Sequence, residues 1–391
     1  MSYTADIDAI MKGLEPEVQA SIGMDKIVIE AGALQLVAPY VLQHFQRIML
    51  VVDEHTYKVA GQQLEGELKR DAQSLHTVFI TPNIVDDVVA DEQSLIELSL
   101  AAKQHKPEVL VAVGSGTLHD ITRMVGYLFE LPFISVPTAP SVDGFNSKGA
   151  PIIVRGEKKT IVSIGPNAVF ADLHILQAAP RRLIAAGFGD ILGKYTSLFD
   201  WKFGCLTNAE PYMEQAYTIT KQALHKCVHA ASLIEAGDQE GIAYLMSGLI
   251  ESGIAMLIFG KSHPASGAEH HVSHYWEMSF IKQGRKQLLH GAKVGVSCIL
   301  IAELYHRLAA EDFGLRQGVR DSVRENWQQI KELVAEMPSA VALKEMLGKV
   351  GGATTVTELG ISQELAEEAL RSAHHVRPER YTLLHAFNTT M

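Results

Sequence analysis

Val109-Leu-Val-Ala-Val-Gly114-Ser-Gly116-Thr-Leu-His-Asp120 decides the fold. An unbroken apolar run with no alternation reads as a strand buried on both faces, and here it enters a Gly-rich turn that opens a helix. Working outward, Arg47-Ile-Met-Leu-Val-Val-Asp53, Thr77-Val-Phe-Ile-Thr81 and Phe133-Ile-Ser-Val-Pro137 have the same character, with helical patterns between them. Strands alternating with helices imply a parallel α/β sheet. Pro151 to Val154, Thr160 to Ile164 and Ala168 to Phe170 follow one another too closely for intervening helices. They are expected to form a local hairpin-type addition to the sheet. After Leu176 the strand signal stops, and Glu210 to Ala236, Glu240 to Phe259, Lys293 to Ala310, Arg320 to Glu336 and Gln363 to His374 are helical in period or composition. The expected organisation is an α/β N-terminal domain over residues 1–175 and an all-α helical domain over residues 176–391.

Composition narrows the class. At 391 residues, with 47% hydrophobic and 20% charged residues, the chain is long enough for two cores. A formal net charge of −11 and no Lys/Arg-rich block exclude the electrostatic footprint of nucleic-acid binding, so an anionic substrate must be held by local donors. The stretch MSYTADIDAIMKGLEPEVQ lacks the basic and apolar regions of a secretory signal, and no uncharged apolar run reaches the length of a membrane span. A cytoplasmic location is expected. Cys205, Cys227 and Cys298 are odd in number, widely spaced and outside any CxxC, which reads as buried small hydrophobes.

In a βα unit, Gly114 and Gly116 let backbone amides approach a pyrophosphate while the helix N-terminus faces the same anion; the alternative is a plain strand-to-helix turn. Asp53, at the end of an earlier strand, is placed to accept hydrogen bonds from adenosine ribose hydroxyls, or else is an exposed loop carboxylate. Val136-Pro-Thr138-Ala139-Pro140-Ser141-Val-Asp143-Gly-Phe-Asn146-Ser147-Lys148-Gly-Ala collects hydroxyls, an amide, a carboxylate and a lysine just after a buried strand. An open α/β sheet binds ligands at that edge, although such a loop can also be a polar turn.

A second constellation lies downstream: Gly187-Phe-Gly-Asp190, then Glu269-His270-His271-Val272-Ser273-His274, then Leu289-His290-Gly291. One carboxylate and two or three imidazoles suit a divalent metal, with positions open to substrate if only Asp190, His270 and His290 are ligands. Asp190 reads as a helix start, where an N-cap is the competing role. His270 and His274, one turn apart, share a helix face. A cation so held polarises a ketone oxygen and stabilises the alkoxide produced by hydride delivery. With the glycine turn, the set indicates a metal-assisted redox enzyme with a nucleotide cofactor.

The succession GSGTLHD, PTAPSVDGFNSKGA, GFGDILGK, PASGAEHHVSH and LLHGAKVG resembles the sn-glycerol-1-phosphate dehydrogenase family, especially its bacterial members, over roughly residues 25 to 300. The resemblance implies a dehydroquinate synthase-like fold, with a parallel, Rossmann-like sheet followed by helices. It implies reversible reduction of dihydroxyacetone phosphate to sn-glycerol 1-phosphate by NAD(H) or NADP(H), with one Ni2+ or Zn2+ ion, in a homodimer. By position, it implies Asp190, His270 and His290 as metal ligands. Asp143, Asp190 and His274 would contact substrate, with Asp143 and His274 catalytic. Asp53, Gly116, Thr117, Leu118, His119, Asp120, Thr138, Ala139, Pro140, Ser141 and Ser147 would form the cofactor site. Relatives often carry glycine where Ser115 stands. His271 duplicates the ligand type, and spacing alone does not choose between it and His270. A glycerol or other polyol dehydrogenase, or a non-catalytic paralogue, is the alternative; a phosphate site separates the first from the leading reading, with Lys148, Lys194 and Lys261 as candidate donors.

Overall fold

The computed structural model describes residues 3–390. Six strands form one sheet in the order β1 (Lys26–Glu30), β8 (Ala168–Asp172), β5 (Phe133–Pro137), β4 (Val109–Gly114), β2 (Arg47–Val52), β3 (Ser74–Phe79), and every neighbouring pair is parallel. Every residue of β4 is buried. Its alternate residues feed two separate cores: Val109, Val111 and Val113 join one, Leu110 and Ala112 the other. This two-sided burial is why the run is continuous rather than alternating.

Only the first two of the three crowded runs behave as expected. β6 (Gly149–Val154) and β7 (Glu157–Val162) make an antiparallel hairpin, closed by Arg155 and Gly156, both at positive φ, but it is a sheet of its own. The third run, β8, enters the main sheet between β1 and β5. All five of its residues are buried, which suits an interior strand and not an edge addition.

Beyond β8 the described residues are helical. Helix α1 (Gly116–Phe129) follows β4; α2 (Arg181–Leu192) and α3 (Lys194–Asn208) are consecutive; α4 (Gln239–Phe259), α5 (Ala268–Lys282) and α6 (His290–Ala310) complete the set around the site. The 21 residues of α4 are apolar and long enough to cross a membrane, yet 83% of the apolar stretch is buried inside the fold. It carries buried Glu251, ion-paired to Lys226, and serves as a core helix. Asp190 lies in the last turn of α2, not at a helix start, so the N-cap role is excluded.

Glycines set the distance between α2 and α6. A Cβ at Gly291 would lie 1.9 Å from the Ala186 carbonyl oxygen, and one at Gly189 would lie 2.5 Å from the Gly291 carbonyl oxygen. The two backbones touch, which brings Asp190 beside the start of α6. Gly291→Ala must push them apart, at about 1–3 kcal/mol for overpacking. Urea unfolding should show that loss; wild-type stability would mean that the crossing yields freely.

Candidate active site

The sheet order reverses between β2 and β4, so their carboxyl ends flank the crevice in which an open α/β sheet holds its ligand. A cavity of about 290 Å³ opens there, between that edge and the helices. Gly116, Thr117, Asp120, Ser141, Asp143 and Ser147 line it from the sheet side; His270, His274, Glu277, His290 and Arg377 line it from the other. A second hollow of about 590 Å³, beyond β3, shares Asp87 and Val89 with it.

α1 presents its N-terminus to this cavity. Its N-cap, Ser115, makes no side-chain capping bond, which leaves first-turn amides for an anion. A Cβ on Gly116 would meet the Val142 side chain at 2.8 Å, so any larger residue would have to displace it. Leu118 and His119 turn the other way, into the interior. His119 Nδ1 pairs with the Ser115 carbonyl and Nε2 with Ser135 Oγ, both at 2.7 Å, and burial pushes the imidazole down to about 3. Neither side chain reaches the cavity, and the His119 amide is itself bonded to the Ser115 carbonyl at 3.3 Å. Burial pushes the Asp120 carboxyl up to about 7, against the pull of Arg123.

Thr138, Ala139 and Pro140 lie behind the cavity wall; the Thr138 amide donates to the Gly114 carbonyl at 2.9 Å. Asp53 is outside the lining as well. It caps a short helix, accepting from the His55 and Thr56 amides at 2.8 and 2.7 Å. The β2–β4 register, with Val51 opposite Ala112, nevertheless puts it level with the glycine turn.

The three expected metal-ligand side chains converge. One ligand atom each from Asp190, His270 and His290 lie within 4.8 Å of one another, and His270 Nε2 is 3.7 Å from Asp190 Oδ1. His270 Nδ1 is bonded to Glu269 Oε1 at 2.7 Å, which orients the ring and leaves Nε2 to face the cluster. Burial holds His270, His274 and His290 well below the usual imidazole range, so all three are neutral donors. His271 is not in the cluster; neither of its buried ring nitrogens has a hydrogen-bond partner.

His274, Glu277 and His290 form an overlapping group. Its carboxylate is already neutralised: Glu277 Oε2 is 2.8 Å from Lys158 Nζ and 3.3 Å from Lys293 Nζ, and the two ammonium groups hold its pKa well down. The donor set that fits a divalent cation is therefore Asp190, His270 and His290.

Two residues that motif spacing did not assign hold the site in shape. Lys194 has no exposed side-chain surface; its Nζ is 2.7 Å from Asp143 Oδ2 and 3.4 Å from Asp190 Oδ1. Asp143 Oδ2 also accepts from Ser252 Oγ at 2.7 Å, and the Asp143 amide donates to Asp190 Oδ2 at 2.9 Å. Lys194 is thus a buried counter-ion and does not line the cavity. Its i,i+4 spacing from Asp190 was the available signal. Arg123, fully buried, donates to the carbonyls of Phe145, Ser147 and Gly149 and folds that loop around itself. Its spacing from Asp120, an i,i+3 ion pair at 3.8 Å, was equally readable.

Residues 28–180 match the model of the iron-containing alcohol dehydrogenase family. A curated glycerol-1-phosphate dehydrogenase (NAD(P)+) of Geobacillus thermodenitrificans is 42% identical, covering 100% of this chain and 99% of its own. One from Geobacillus stearothermophilus is 43% identical over 94% of this chain and 93% of its own. Among solved structures, a probable glycerol dehydrogenase from Sinorhizobium meliloti superposes with a TM-score of 0.68 at 18% identity, covering 93% of this chain and 91% of its own. At that identity the likeness shows the fold alone.

Two substitutions separate the roles of charge and ligand. Lys194→Met strands Asp143 and Asp190 without a counter-charge, and breaking such a buried pair costs about 3–5 kcal/mol in urea unfolding; a loss below about 1 kcal/mol would show the charges to be solvated. Asp190→Asn keeps the shape and removes the anion, so calorimetry with Ni2+ should show binding at least about tenfold weaker. Unchanged affinity would remove Asp190 from the ligand set.

Proposed function

We propose, from the premise that the chain belongs to the glycerol-1-phosphate dehydrogenase family, that it reversibly reduces dihydroxyacetone phosphate to sn-glycerol 1-phosphate with NADH or NADPH. The observation that carries this reading is the convergence of Asp190, His270 and His290 within 4.8 Å, with His270 and His290 on the wall of the cavity that also receives the N-terminus of α1 and Asp190 buried behind them. When bound, the nicotinamide supplies hydride and a divalent ion, Ni2+ or Zn2+, polarises the ketone. Asp190, His270 and His290 would hold the ion. The first-turn amides of α1, with Thr117, Ser141 and Ser147, would hold the pyrophosphate and nicotinamide arm. Asp53, level with that turn, would take the adenosine ribose.

The remaining steps belong to the chain itself. His274, on the cavity wall one turn from His270, would donate its N–H hydrogen bond to the reacting oxygen as it gains negative charge, give up that proton to complete the alcohol, and regain one from solvent through the open cavity. Lys194 keeps Asp143 and Asp190 in place, and through the Asp143 amide it fixes the loop on which the substrate rests. Asp143, Asp190 and Lys194 are buried, which strengthens the charge contacts among them.

Exhaustive chelation should abolish NADH oxidation with dihydroxyacetone phosphate while nucleotide binding, followed by fluorescence, survives. Ni2+ or Zn2+ should restore the rate. Full activity in a demonstrably metal-free preparation would sink the mechanism. His274→Ala should keep stoichiometric metal while kcat/KM falls roughly ten- to a thousandfold, the range for losing a proton-handling contact. Loss of the metal in that variant would make His274 a ligand instead.

A further inference from the structure

A phosphate dianion entering a chain of formal charge −11 needs a cation that faces it and is not already spent. Most of the cations near the cavity are spent. Lys194 is locked between Asp143 and Asp190, and Lys158 and Lys293 share Glu277. Arg380 lies 3.1 Å from Glu210. Lys148 and Lys261 do not line the cavity.

Arg377 is different. It lines the same cavity as His270 and His274, and among the described residues it forms no ion pair. Its hydrogen bonds run from Nη1, to Ser262 Oγ at 2.8 Å and Ser266 Oγ at 3.3 Å, and both serines line the cavity too. Two hydroxyls therefore aim one edge of the guanidinium and leave the rest of the fork to a ligand. A planar fork matches phosphate oxygens in pairs, which no lysine ammonium does.

The segment that carries Arg377 is tied to the helix that carries the imidazoles. Asp200 accepts from the Ala268 amide at the start of α5 with Oδ2, at 2.8 Å, and from the Leu383 amide with Oδ1, at 3.1 Å. Arg380 Nη1 donates to the Ser266 carbonyl at 3.1 Å. The guanidinium and the imidazoles are thus held in one frame, with a fixed separation between them.

We propose that Arg377, oriented by Ser262 and Ser266, is the phosphate-recognition residue that makes this site select a three-carbon ketone carrying a phosphate ester over the free ketone. The assignment rests on the reaction proposed above and adds the group that distinguishes its substrate from dihydroxyacetone. A site built around a charged partner rejects the analogue that lacks it by factors of a hundred or more, because its own polar group is then left unpaired.

The test measures kcat/KM for dihydroxyacetone phosphate and for dihydroxyacetone in the metal-loaded enzyme and in Arg377→Gln, Arg377→Lys and Arg377→Ala, with metal content determined for each. The wild type should prefer the phosphate ester strongly. In Arg377→Gln that preference should fall by about a hundred- to a thousandfold with metal stoichiometry retained. Arg377→Lys, which keeps charge without the fork, should lie between. Millimolar guanidinium should return part of the preference to Arg377→Ala, which a merely misfolded variant would not show. A wild-type preference that persists in Arg377→Gln overturns the assignment while leaving the reaction intact. A wild type that does not distinguish the two ketones refutes the reaction itself, and this assignment with it.

Discussion

The ammonium of Lys194 is the constraint on which the site depends. It sits with no exposed side-chain surface between Asp143, on the loop that leaves β5, and Asp190, at the end of α2. Asp190 in particular needs a counter-charge to stay ionised, because burial and the neighbouring Asp143 both raise its pKa. One cation therefore joins a sheet-edge loop to a helix of the other half, and the Asp143 amide closes the link by donating to Asp190. The loop cannot move without exposing an unpaired buried charge, which is a steeper penalty than any apolar contact would impose.

Charge distribution also explains which of two overlapping clusters is suited to a metal. Both contain His290, and both offer a carboxylate. Glu277 faces two ammonium groups, whereas Asp190 has only a share in one, at 3.4 Å, that lies closer to Asp143. A divalent ion gains more where negative charge is less fully compensated. The same burial that makes a carboxylate costly there keeps the three imidazoles neutral, so the donors need not lose protons before they coordinate.

Much of this was legible in the sequence where one local rule decided. The β4 run and its glycine turn, the strand from Phe133 to Pro137, and the helical character after Leu176 follow from burial pattern and period alone. The histidine and aspartate cluster was legible as residue types in order, and the choice of His270 over His271 came from the family pattern. What failed was whatever depended on tertiary pairing. β8 looked like part of a hairpin, because spacing says nothing about which gap in a sheet a short strand fills. Asp190 was expected at a helix start, with an N-cap as its competing role, whereas it lies in the last turn of α2, where Gly187 and Gly189 let the helix lie against the Pro140 loop and α6. Leu118 and His119, which the resemblance groups with the cofactor site, have their side chains buried inside the fold, an orientation that position in sequence does not give. Lys194 was read as a candidate phosphate donor, since its nearer partner, Asp143, comes from a distant segment.

Arg377 shows the same limit most plainly. It lies outside the stretch that carries the motifs, in a short segment with no pattern of its own, and reaches the cavity only because Asp200 and Glu210 each grip that segment from within the helical core. Asp200 also caps the start of α5, so the geometry of the imidazoles and that of the guanidinium answer to one carboxylate. A site that must measure the length of a small substrate needs such a common reference, because an error of about 1 Å at either end is enough to cost catalysis severely. Here the guanidinium and the imidazoles are tied into a single buried network rather than carried on two loops adjusting independently.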